Sequence, residues 1–293
     1  QRFDFGFSLQ KASYSIMKQV PVDMGGGQYQ YQYQTVSEEG FSAVIPSMSW
    51  IFDNSTMGYT GPIDGFRQNV SLALSPGWGS DKIQFQTFKW DSRKYFLFGR
   101  DYTLAGRFYY GGSIGENAQK FFMGGIPYLI GGHGETNGED DYGTWREVLL
   151  DTLNQSLLHD IYFTEYVFPV RGARYAERFG KNALLMNFEI RFPFINYLAL
   201  GFPLKMVFGN IRGHAFLDVG SAWDDPKEFT DVTKLKNKYG QSSPETMTPW
   251  ITTFGVGTKI NLGYFLLRID AAWDVNHNSY SKPQWYFSLG PDW

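Results

Sequence analysis

The sequence predicts an all-β chain: a transmembrane antiparallel β-barrel with one long loop that carries a short helix. Three observations predict it. Several segments of about ten residues alternate strictly between apolar and polar positions, the pattern of a strand with lipid on one face and a wet lumen on the other. The 293 residues include 33 glycines, 18% aromatic and only 19% charged residues, against about 7% glycine and about 25% charge in a typical soluble domain. Mean hydropathy is −0.32 despite the aromatic excess, which fits strands with two unlike faces. No run of about 18 apolar residues is present, so no helix can cross a bilayer. A spanning structure must then be a closed barrel, because lipid cannot satisfy an open sheet edge.

The alternation is clearest in the C-terminal half. Leu184, Met186, Phe188, Ile190 and Phe192 alternate with Ala183, Leu185, Asn187, Glu189 and Arg191. Ala215, Leu217 and Val219 alternate with His214, Phe216, Asp218 and Gly220. Phe254, Val256, Thr258 and Ile260 stand against Gly255, Gly257, Lys259 and Asn261, and Leu267, Ile269 and Ala271 against Arg268, Asp270 and Ala272. The last strand sets Trp285, Phe287 and Leu289 against Tyr286, Ser288 and Gly290. A soluble sandwich shares this alternation with its apolar face turned into a core, so pattern alone leaves both arrangements open.

In the N-terminal half, Gln28–Gln34 alternates glutamine with tyrosine and reads as a strand whose tyrosines suit an interfacial aromatic girdle. Further strands are expected near 42–53, 66–75, 82–91 and 95–110. Arg2–Phe7 already reads as strand. No leader precedes Gln1, so an exported chain is expected to have lost one, and a soluble N-terminal region is expected to lie outside this sequence. About 12 strands in all are expected, within a barrel that bacterial single chains build from an even number. Between Gly143 and Asp160, Trp145, Leu149, Leu153 and Leu157 fall at helical spacing, and Thr144 with Glu147 forms a capping box. The long loop, 125–181, therefore carries an amphipathic helix.

Catalytic and cofactor chemistry find little support. There is no cysteine, which excludes a disulfide framework and thiolate metal sites. The net charge of −3 gives no electrostatic reason to invoke nucleic acid. His133, His159, His214 and His277 are scattered without metal-ligand spacing. Ser156 and His159 read as a polar helix face rather than a hydrolase pair. Glu139-Asp140-Asp141 reads as an acidic turn, since it lacks the ordered oxygen ligands of a calcium loop. No catalytic residue, metal or cofactor is expected, and no enzymatic activity.

A set of motifs occurs in fixed order: Phe121-Phe122-Met123-Gly124-Gly125, Val170-Arg171-Gly172, Asn187 to Pro193, Gly213 to Trp223, Gly255-Val256-Gly257, Leu267 to Asp270, and the ending Phe287 to Trp293. This ordered set resembles the bacterial surface antigen superfamily, the BamA/TamA-like assembly proteins, over about 120–293. The stretches Trp50–Asn54 and Gly58–Pro62 also resemble members whose barrel follows a large soluble region.

The resemblance implies the barrel of a Gram-negative outer membrane, 16-stranded when whole, with residues 1–293 as barrel. It implies non-enzymatic insertion or translocation of proteins. The expected partners are outer-membrane lipid including lipopolysaccharide, and other outer-membrane or periplasmic proteins. It also implies that the loop arginine, here Arg171 beside Gly172, folds into the lumen against the inner wall. The alternation places Glu189 and Asp218 on the inward faces of neighbouring strands. A guanidinium between two carboxylates makes bidentate, charge-assisted bonds, and removing one partner strands a charge at roughly 3–5 kcal/mol. Arg171, Gly172, Asp218 and Glu189 are therefore the expected loop latch; the plainer reading leaves Arg171 as a solvated loop residue. By the same resemblance, Trp285, Phe287, Leu289, Gly290 and Trp293 form a C-terminal assembly signal. An accessory barrel that anchors a partner and a passive channel are the alternative functions; an outer-membrane hydrolase lacks a nucleophile–base pair.

Overall fold

The computed structural model describes residues 1–23, 29–78, 83–125, 164–167, 169–173, 176–203, 206–231, 233–234, 238, 248–263, 265–275 and 283–290. The expected loop helix, the Glu139–Asp141 turn, Ser156, His133, His159, His277 and Trp293 lie outside them. The described strands are β1 (Arg2–Asp23), β2 (Tyr29–Asp53), β3 (Thr56–Gly58), β4 (Gly61–Pro76), β5 (Gln84–Phe98), β6 (Tyr102–Ile114), β7 (Phe121–Met123), β8 (Glu165–Val167), β9 (Arg178–Gly180), β10 (Asn182–Leu200), β11 (Met206–Trp223), β12 (Ile251–Asn261), β13 (Leu266–Asp274) and β14 (Gln284–Leu289). One 3-10 turn, Pro226–Phe229, follows β11 behind an Asp225 cap.

Ten strands form the wall, in the order β1-β2-β4-β5-β6-β10-β11-β12-β13-β14, every neighbour antiparallel. With β3, which pairs with β4 off this path, the sheet has eleven strands against the expected 12 or so. The expected strand over 28–34 is part of a longer one, since residues from Tyr29 on run unbroken into 42–53 as β2. Among the described residues, that part of β2 pairs with β1 alone, since pairing with β4 begins at Ser47. At about 3.3 Å per residue, Tyr33 lies roughly 46 Å of strand beyond Ser47, so the backbone carries these tyrosines well past the wall's paired rim.

Up-and-down order sorts the connections by side. The wall strands are joined on one side by 54–60, 99–101, 201–205 and 262–265, and on the other by 24–28, 77–83, 115–181, 224–250 and 275–283. Bacterial outer-membrane barrels keep short turns periplasmic and long loops extracellular, the orientation expected of this chain.

Burial decides between barrel and sandwich. The buried polar and charged positions of β10 and β11 are Asn187, Glu189, Arg191, His214, Asp218 and Ser221, while Phe188 is 51% and Leu217 40% exposed. In β12 to β14, Thr253, Lys259, Arg268, Asp270 and Ser288 are buried, and Phe254, Val256, Trp285, Phe287 and Leu289 are exposed. A soluble fold buries its apolar face; this wall turns its apolar face outward and its charges inward. No described helix is long and apolar enough to cross a membrane. Leu217→Arg is accordingly expected to destabilise the protein in bilayers by about 2–4 kcal/mol. Unfolding measured in lipid checks this; a change within about 0.5 kcal/mol, usual for a water-exposed site, would contradict an outward lipid face.

The lumen is not uniformly polar. Toward the long-loop side the inner wall is apolar, and part of the loop sits on it. β7 pairs parallel with β8 and antiparallel with β9 to make a small sheet. Phe121, Met123, Val167 and Val170 from this region pack with Tyr109, Ala183, Leu185, Ala222 and Ile251 of the wall, all buried. Hydrophobic burial thus seats the loop, and the charged half of the lumen lies below it.

Candidate functional site: a loop arginine on the lumen wall

The two arms of the long loop are zipped where Gly125 and Val170 exchange backbone hydrogen bonds of 3.1 and 2.9 Å. The next residues are Arg171 and Gly172. Gly172 has φ +88°, and its N–H donates to the Tyr286 hydroxyl of β14 at 2.9 Å. A side chain there is strained by the backbone and crowds Ala272. The Tyr286 hydroxyl donates in turn to Gln284 Oε1 at 2.6 Å.

Arg171 has no exposed surface. Its Nε and Nη2 donate to the two oxygens of Asp218 at 2.9 and 2.8 Å, a two-bond fork, and its backbone N–H adds a third bond of 3.0 Å. Its Nη1 donates to Glu189 Oε2 at 3.0 Å. The guanidinium carbon lies 3.5 Å from the centroid of the Phe216 ring, a close cation–π contact. Gly255 makes room for that ring, because a Cβ at 255 meets Phe216 at 2.3 Å. Burial alone pushes the Arg171 guanidinium down, but the Asp218 carboxylate and then Glu189 outweigh it and hold it above its ordinary value.

The anions are themselves held. Asn187 Nδ2 donates to Asp218 Oδ1 at 2.8 Å and to the Pro169 carbonyl at 2.9 Å, joining wall to loop a second time. Glu189 Oε1 accepts from Arg191 Nε at 2.7 Å and from Lys259 Nζ. One carboxylate thus faces three cations from the loop, β10 and β12. Alongside, His214 Nε2 lies 2.8 Å from Asp270 Oδ1, and Arg268 donates to Ser288 at 3.2 Å.

The structure therefore brings Arg171, Gly172, Asp218 and Glu189 into one cluster. Phe216, Asn187, Lys259, Arg191 and Tyr286 complete it, and sequence reasoning assigned them no part in it. Alternation puts each on an inward face but does not give its height along the wall, which the register between strands supplies. Of the C-terminal set, Trp285, Phe287 and Leu289 point outward and exposed, and the Gly290 N–H donates to the Leu266 carbonyl at 3.1 Å. Among the described residues no group of His, Asp or Glu is placed to hold a metal ion.

An apolar-out, charge-in wall with its own loop pinned inside defines a transmembrane β-barrel occupied from within. Residues 2–293 match the Omp85 superfamily domain, and the chain belongs to that superfamily, a group of outer-membrane β-barrels that act in protein insertion and transport without enzymatic chemistry. Among solved structures, the fold is similar to the crystal structure of BamA from Haemophilus ducreyi lacking POTRA domains 1-3, with a TM-score of 0.56 and 12% identity. That match covers 98% of this chain and 51% of the other, so the chain spans about half the length of its structural relative. No curated protein matches it.

Proposed function

We propose that this chain is the barrel part of an outer-membrane machine that inserts or translocates proteins, acting non-enzymatically in the BamA/TamA-like manner. The observation that carries this reading is the wholly buried Arg171 between Asp218 and Glu189. A loop pinned so far down the lumen fills space that a passive channel keeps open. The cluster acts as a latch: it sets whether the loop occupies the lumen, and through Gly172 and Tyr286 it reaches the last wall strand.

Substrate handling falls to the wall's end strands. Among the described residues β1 and β14 each pair along one edge only. A free edge templates an incoming strand by backbone pairing. The outward Trp285, Phe287 and Leu289, with Gly290 and Trp293, supply the C-terminal signal by which such a barrel is itself assembled. The partners are unfolded barrel clients, periplasmic proteins, and outer-membrane lipid including lipopolysaccharide against the apolar exterior.

The test is folding of an unfolded outer-membrane barrel added to liposomes that carry the full-length protein, followed by its heat-dependent gel migration. Insertion activity makes the client fold faster than in protein-free liposomes. Equal rates contradict the proposal and leave an accessory barrel that anchors a partner.

A further inference from the structure

The connection between β2 and β4 is short, yet it is a built element. The Asn54 N–H donates to the Phe66 carbonyl at 3.1 Å, and Asn54 Oδ1 accepts from the Phe66 N–H at 2.8 Å, closing its base. Asp53 Oδ1 accepts from the Ser55 N–H and hydroxyl at 2.9 and 2.7 Å. Between them β3 folds back on the start of β4, pairing Met57 with Pro62 and Gly58 with Gly61. The result is a small tongue over residues 54–66, on the short-turn, periplasmic side.

The tongue's contacts show where it points. The Pro62 carbonyl accepts from Arg191 Nη1 of β10 at 2.8 Å, and the Tyr59 carbonyl accepts from Asn261 Nδ2 of β12 at 2.6 Å. In the wall, β10 lies three strands from β4 and β12 lies five. A loop rooted at β2 and β4 reaches those strands only by crossing the lumen. Thr60 and Pro62, midway, are buried.

Arg191 also belongs to the cluster above. Its Nε donates to Glu189 Oε1 while its Nη1 holds the tongue, and Arg171 occupies the other oxygen of Glu189. Loss of Arg171 frees Oε2. A two-bond fork on Glu189 is then open to Arg191, and taking it re-aims the guanidinium away from the Pro62 carbonyl.

We infer that the 54–66 tongue is a second closure of the lumen, at the periplasmic mouth, and that Glu189 and Arg191 tie its release to release of the extracellular loop. The closure stands on the tongue's own contacts; only the tie rests on the latch reading.

Residues 1–293 hold no cysteine, so Thr60→Cys, with any cysteine elsewhere in the full-length protein replaced by serine, reports on the tongue. The full-length protein in nanodiscs is labelled with a hydrophilic maleimide, with Ala183→Cys, buried in the upper lumen, as the control for general loosening. Arg191→Gln and Asn261→Ala are each expected to speed labelling at position 60 by about tenfold or more, since each removes a tie, and to leave position 183 slow. Arg171→Ala is expected to speed position 60 as well, although Arg191 stands between its side chain and the tongue. Unchanged labelling at 60 in both Arg191→Gln and Asn261→Ala, or equal rises at 60 and 183, overturns the closure. An Arg171→Ala protein whose conductance rises while position 60 stays slow overturns the closure and the tie and keeps the latch; faster labelling at 60 in both Arg191→Gln and Arg171→Ala without any conductance rise in Arg171→Ala keeps the closure and removes the latch.

Discussion

Arg171→Ala is expected to destabilise the protein by roughly 3–5 kcal/mol, the cost of breaking a buried ion pair from one side. The loss falls mainly on Asp218. Glu189 keeps Arg191 and Lys259, whereas Asp218 loses both bonds of the side-chain fork and retains Asn187 and, while the loop stays in place, the backbone N–H of residue 171. Arg171→Lys is expected to recover little, because an ammonium cannot make the two-bond fork or lie flat on the Phe216 ring. Arg171→Ala combined with Asp218→Asn is expected to be less destabilised than the sum of the two single changes, since the second removes the stranded charge. Thermal unfolding of the four proteins gives the cycle, and strict additivity would contradict a direct Arg171–Asp218 coupling.

Glu189→Gln is the second large effect, and the cluster's charge balance makes it at least as severe. The carboxylate separates Arg171, Arg191 and Lys259. Neutralising it leaves three buried cations around an amide, a cost on the order of 3–5 kcal/mol. Lys259→Met removes one of three cations from the same carboxylate and is expected to cost much less. Adding Lys259→Met to Glu189→Gln should then restore part of the loss. Equal effects of Glu189→Gln and Lys259→Met on unfolding would mean that Glu189 is not the shared anion.

These expectations rest on positions that were legible to unequal degree. The inward and outward faces of β12 to β14, and of β10 and β11 over 183–192 and 214–222, were readable from alternation, because lipid on one side and charge on the other leave little freedom in parity. The N-terminal hairpin was less so. Thr35 to Phe41, with Glu38, Glu39 and Gly40 together, reads as a break, yet it pairs with β1 through the middle of a single strand; a two-stranded ribbon beyond the wall has no lipid face to impose alternation. The stretch 192–211 hid its hairpin for a related reason: it carries a single charged residue, Lys205, so no alternation marks the extension of β10 and β11 beyond the expected 183–192 and 214–222. The three-residue strands β7 to β9 are too short to leave a period. At the site, Arg171 came from motif order, and Glu189 and Asp218 from parity. Asn187, Phe216, Lys259 and Tyr286 required the register: Asn187 stands opposite Asp218, and Glu189 opposite Phe216.

The central claim, a loop held in the lumen by Arg171, is tested most directly by single-channel conductance of the full-length protein in planar bilayers, wild type against Arg171→Ala. The account predicts a small, flickering conductance for the wild type and a large one for the variant, as the loop leaves its seat between Asp218 and Glu189. A large, steady conductance in both proteins would contradict it and make the chain an open channel.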